Sequence, residues 1–86
     1  MSKEMLENGI TKIIENIIGI EIGESQLYME LELTGINSIK FIQIIVDIEE
    51  KYKVEFDDDL LLDYTSFKTL NAFFISIVQK LSNKIS

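Results

Sequence analysis

Apolar side chains recur along this chain at spacings of three and four in three separate stretches, the period of a helix that buries one face. In the first, Leu6, Ile10, Ile13, Ile14, Ile17 and Ile18 share a side while Glu7, Lys12, Glu15 and Asn16 fall elsewhere. This predicts a helix from about Lys3 to Ile18, with Gly19 as its stop. The second starts at Asn37 or Ser38 and runs to about Lys51 or Tyr52, with Asn37 suited to the N-cap and Gly35 to the turn before it. The last and clearest puts Leu70, Phe73, Phe74, Ile77, Val78 and Leu81 on one face, capped by Thr69 or Ser66.

Two stretches lack this regularity. Asp57 to Asp63 reads as a short element of one turn or so, with Leu60, Leu61 and Leu62 beneath an acidic cluster. From Gly19 to Asn37 the period fails, and the expectation is a long loop whose Leu27, Tyr28, Leu31 and Leu33 tuck onto the core. A loop this long carries function or holds an extra turn of helix. With no Pro, repeat or low-complexity linker, residues 1–86 are expected to form a single domain. The expected fold is all-α: a small four-helix bundle with a long loop between helices 1 and 2 and a short third helix.

The second helix has one apolar stripe too many. At about 100° per residue, Phe41, Ile44, Ile45, Ile48 and Tyr52 share an arc that is the expected core face. Ile39, Ile42 and Val46 form another stripe well over 100° away, where a small-domain helix normally places polar residues. Either the preceding loop folds over these three and makes them extra core, or they stay outside as an apolar spot beside Ser38, ringed by Lys40, Asp47 and Glu50. Their exposure decides between the two.

Composition narrows the functions. A chain of 86 residues can bury only about 60% of the surface its unfolded form exposes, so one modest core is expected. A hydrophobic content of 47% makes folding expected in spite of a net charge of −7. Residues 47 to 63 hold eight acids against two lysines, a local charge of −6. Such an excess of acid argues against nucleic acid and anionic membrane surfaces and favours a basic protein partner. No apolar run approaches the roughly 18 residues of a membrane span, and Glu4 and Glu7 stand where a secretory leader needs positive charge, so a cytoplasmic protein is expected.

Self-contained chemistry has little to work with. Cysteine and histidine are both absent, which removes thiolate and imidazole metal ligands and the commonest general base. A calcium loop beginning at Asp57 fails, because Leu62 stands where Gly is needed and Lys68 where a bidentate Glu is needed. Ser38 has no base and no Gly-x-Ser-x-Gly elbow to make it a hydrolase nucleophile. Gly9, Gly19 and Gly23 are too scattered to cradle a phosphate, and the aromatic residues fall at core spacing. No catalytic residue and no metal site are expected.

The segment from Leu33 to Tyr52, LTGINSIKFIQIIVDIEEKY, resembles the phosphopantetheine-attachment region of acyl and peptidyl carrier proteins, whose usual form is Leu-Gly-x-Asp-Ser-Leu before an acidic amphipathic helix. Phe67-Lys68-Thr69-Leu70 is similar to that family's entry into its final helix, and the pattern extends over about residues 5 to 82. The resemblance implies a bundle of acyl carrier type. It implies that Ser38 receives a covalent 4′-phosphopantetheine arm from coenzyme A, whose thiol carries acyl, aminoacyl or peptidyl groups as thioesters for polyketide, nonribosomal peptide or fatty acid biosynthesis. Implied partners are a phosphopantetheinyl transferase and loading or biosynthetic enzymes with basic docking surfaces, which meet a monomer at Asn37, Ile39, Ile42, Gln43, Val46, Asp47 and Glu50.

Two positions depart from the family pattern. Asn37 stands for the usual Asp, keeping the cap but losing a charge, and Thr34 stands where an apolar residue commonly precedes the glycine. Asn37 and the run Phe56-Asp57-Asp58-Asp59 favour a free-standing carrier of a biosynthetic cluster. The competing reading is an unmodified acidic helical adaptor for a basic partner. A complementation assay separates them: a carrier loses function with Ser38→Ala, whereas the adaptor keeps it and loses function with Val46→Asp.

Overall fold

A computed structural model describes residues 2–57 and 59–85, without the side chains at 61–63. Helix α1 spans Lys3–Ile18, a one-turn α2 spans Glu24–Leu27, and α3 spans Ser38–Tyr52. A second single turn, α4, covers Asp59–Leu62, and α5 runs over Leu70–Ile85. Short 3-10 turns at Leu31–Thr34 and Asp63–Ser66 precede α3 and follow α4. The fold is a small all-α bundle in which α1 packs against both α3 and α5.

The boundaries follow from local chemistry. The Ser2 hydroxyl accepts the Met5 N–H at 3.2 Å to open α1, and Gly19 closes it in the left-handed conformation at φ 79°. Helix α3 ends at Lys53, a left-handed residue whose N–H bonds the Glu49 carbonyl. At both ends a carboxylate reaches onward: Glu15 accepts the Ile22 N–H and Glu49 the Phe56 N–H, each at 2.8 Å. Thr69, rather than Ser66, caps α5, its hydroxyl accepting the Ala72 N–H at 3.1 Å.

Burial sorts the side chains as helical spacing requires. Leu6, Ile10 and Ile14 of α1 meet Phe41, Ile44 and Ile48 of α3 and Leu70, Phe73, Ile77 and Leu81 of α5 in one core. Each such side chain contributes about 1.5–3 kcal/mol when taken from water. Leu60 of α4 is buried too, while Asp58 and the side chains of Leu61, Leu62 and Asp63 lie outside the described residues.

The connection between α1 and α3 differs from the expected loop. It contains two helical turns, and of the four residues expected to tuck in, Leu27 and Leu31 face the core while Tyr28 and Leu33 are exposed at 68% and 66%. The reason is geometric. In a 3-10 turn residues three apart eclipse one another, so Leu31 and Thr34 lie inward together and Leu33 points out. Buried Thr34 is satisfied locally, its hydroxyl donating to the Leu31 carbonyl at 2.6 Å. An isolated bridge between Glu30 and Thr69 ties this connection to the start of α5, with the Leu31 N–H on the Lys68 carbonyl and the Leu70 N–H on that of Met29.

Gly9 sets the approach of α1 to α3, because a Cβ there would overlap the Tyr52 hydroxyl oxygen. Burial pushes the Tyr52 phenol above its ordinary 10.0. Its folded-state pKa exceeds the unfolded one, so this contribution is whole below about pH 10 and fades as the pH climbs past it. Gly9→Ala gains about 1 kcal/mol of helix propensity but loses about 1–3 kcal/mol to overpacking. Thermal or urea unfolding should therefore show Gly9→Ala destabilising the natural chain, and becoming neutral or stabilising once Tyr52→Phe has removed the obstructing oxygen.

Candidate functional site

The turn leading into α3 is built from four consecutive residues with different tasks. Gly35 takes φ 94°, a conformation that costs a residue with a Cβ about 1–2 kcal/mol. Ile36 is buried and pins the turn to the core. Asn37, in extended backbone, caps α3 by accepting the Lys40 N–H on its side-chain oxygen at 2.8 Å. Ser38 follows as the exposed first residue of the helix.

The tertiary structure holds this turn from below. The Tyr64 hydroxyl donates to the Ile36 carbonyl at 3.2 Å. Phe41 is fully buried, with ring centroids of Phe73, Tyr64 and Phe67 at 5.0, 5.3 and 6.3 Å. Ser38 thus stands between a fastened turn and an anchored ring. Its hydroxyl makes no hydrogen bond among the described residues, and the first-turn amides of a helix have no intrahelical acceptor. With the positive end of the helix dipole behind them, they favour an anion at this position.

The two apolar stripes of α3 separate cleanly. Phe41, Ile44, Ile45 and Ile48 are buried, whereas Ile39, Ile42 and Val46 are exposed at 66%, 44% and 41%. The loop does not cover them. Asn37, Gln43, Asp47 and Glu50 are exposed as well, so every side chain expected at the docking face reaches solvent. Lys40 is half-buried.

Sequence reasoning missed part of the surface. Tyr28 and Leu33 add exposed apolar area to the connection before Ser38, which carries four exposed glutamates, Glu21, Glu24, Glu30 and Glu32, and no lysine. Acidity is therefore not confined to residues 47 to 63, and it precedes the serine too. Glu49, counted among those acids, is committed to the Phe56 amide. From Tyr64 onward the sequence has Lys68, Lys80 and Lys84 and no acid, so α5 is the basic side of an otherwise acidic protein. That asymmetry was legible in a charge count taken over the whole chain.

No metal centre forms among the described residues, which bring no three potential ligands together. Two grooves, of about 400 Å³ along Lys3, Glu7, Phe74 and Val78 and about 510 Å³ along Phe56, Leu60, Lys80 and Lys84, both lie away from Ser38. No helix is long and apolar enough to cross a membrane among the described residues. Ser38 occupies an open surface.

A family model described as the phosphopantetheine attachment site matches residues 8–74, a stretch that contains the Gly35–Ser38 turn, α3 and the start of α5. No curated protein and no solved structure matches the chain.

The exposure of the outer stripe has a measurable consequence for stability. Ile42→Ser and Val46→Ser should each shift unfolding free energy by no more than about 0.5 kcal/mol, as surface changes do. Ile45→Ala, one position from Val46 but on the buried face, should cost about 2–5 kcal/mol. Comparable losses at all three positions in chemical denaturation would mean that the stripe is covered.

Proposed function

The chain belongs to the family of phosphopantetheine attachment-site domains, and from that membership we propose that Ser38 is the residue that carries the arm. Domains of this family are carriers rather than enzymes and bear covalently attached 4′-phosphopantetheine. The observation that carries the assignment is the position of Ser38: the exposed first residue of α3, inside the matched stretch, with an unengaged hydroxyl.

The surrounding residues fit the group. Asn37 satisfies the Lys40 amide with its own side chain, which leaves the amides of Ser38 and Ile39 to face a phosphodiester. The arm supplies a terminal thiol on which acyl, aminoacyl or peptidyl groups are held as thioesters, a function the cysteine-free chain has no means of providing itself. With no histidine to act as base, the chain depends on a phosphopantetheinyl transferase for the attachment and on biosynthetic enzymes for every later transfer.

Those partners dock on Ile39, Ile42 and Val46, with Asn37, Gln43, Asp47 and Glu50 as the polar rim. The apolar stripe supplies contact area, and the acids steer basic enzyme surfaces toward Ser38 and select among them. The protein works as a monomer, and its cargo belongs to polyketide, nonribosomal peptide or fatty acid biosynthesis.

Intact-mass measurement after incubation with coenzyme A, magnesium and a broad-specificity transferase tests the assignment. The expected result is a gain of one phosphopantetheine that disappears in Ser38→Ala. An unchanged mass for the natural chain, or a gain that persists in the variant, refutes it.

A further inference from the structure

Three side-chain hydrogen bonds among the described residues hold the turn that presents Ser38, and they differ in reach. Thr34 and Asn37 bond to partners three residues away, fastening the turn to itself. Tyr64 alone of these side chains ties it across the molecule, to a carbonyl 28 residues distant in sequence. The same side chain lies against Phe41, its ring tilted by 57° at 5.3 Å. One residue therefore touches the backbone two positions before Ser38 and the ring three positions after it.

We propose that Tyr64 is a positioning residue for modification of Ser38, an assignment that rests on Ser38 being the attachment point. The buried side chain of Ile36 anchors the turn, and the phenol hydroxyl adds a hold on the Ile36 carbonyl that restrains rotation of its peptide plane. The rotation of the Ile36–Asn37 peptide determines how Asn37 enters its capping geometry and hence where the Ser38 hydroxyl points. In the reaction served, Ser38 Oγ forms a bond to the pantetheine-bearing phosphorus of coenzyme A as the phosphoanhydride bond to 3′,5′-ADP breaks. The hydroxyl proton passes to a base of the transferase. Tyr64 contributes by keeping the turn in the one conformation an enzyme can engage, so that no part of the binding is spent on ordering it.

Tyr64 sits in the 3-10 turn at Asp63–Ser66, outside the segments whose periodicity marks them as important. A small cleft of about 90 Å³ lined by Leu31, Glu32, Tyr64, Thr65 and Phe67 flanks it, so the phenol is half-exposed and not locked by packing alone. Tyr64→Phe keeps the ring against Phe41 and removes only the hydrogen bond.

The test is steady-state modification of the full chain, with the transferase and coenzyme A fixed and the carrier concentration varied, well below the thermal midpoint. Tyr64→Phe should raise the KM for the carrier about three- to tenfold, the effect of one lost hydrogen bond on the competent population. The kcat at saturating carrier should stay within about twofold. Ile77→Val, buried on α5 away from the turn, serves as a control for stability and should leave KM unchanged even where it lowers the thermal midpoint as far. A Tyr64→Phe protein with natural KM, or an equal rise in Ile77→Val, overturns the positioning role while leaving Ser38 as the attachment point. Failure of the natural chain to gain mass overturns both assignments together.

Discussion

Phe41 is fully buried with the rings of Tyr64, Phe67 and Phe73 around it, and the orientation of α3 depends on that packing. A helix with two apolar stripes can in principle present either to the core. An aromatic side chain of this size, seated among three others from the α4–α5 region, removes the choice, because burying the other stripe would expose the ring and open a cavity beneath it. Once Phe41 points inward, Ile44, Ile45 and Ile48 must follow, and Ile39, Ile42 and Val46 are carried to the outside. Ser38 emerges on the solvent side of the first turn for the same reason.

The acids divide into two populations with different work. Glu15 and Glu49 each extend past a helix end to hold a backbone amide beyond it, so their charge is used for chain direction. Glu30, Glu32, Asp47 and Glu50 remain exposed, and at physiological ionic strength their field reaches about 8 Å into solvent. A carrier needs this separation. Its stability comes from the core, which does not require the exposed charges.

The lack of cysteine, histidine and arginine fits a protein whose chemistry is brought to it. What the fold provides is a rigid post: a helix N-terminus with its cap in place, an unengaged hydroxyl and a turn held from both sides. Thr34, a departure from the usual family residue, is accommodated because its hydroxyl bonds the Leu31 carbonyl within the 3-10 turn. The bond makes a buried threonine compatible with a position commonly apolar.

The three long helices were legible to within a residue or so at their starts, because helical periodicity and capping are local properties carried by side chains three and four apart. Gly35, Asn37 and Ser38 were legible for the same reason. The connection before α3 was not, since its turns are too short to show a period, and the inward pairing of Leu31 with Thr34 follows from eclipsed 3-10 geometry that sequence spacing does not announce. Tyr64 could not be connected to Ile36 by any local rule. The amino-acid order by itself determined which residues lie on each stripe of α3 and that a serine heads it. Only the tertiary structure decided which stripe is buried and what braces the serine, because both depend on aromatic rings and a phenol hydroxyl that arrive from distant parts of the chain.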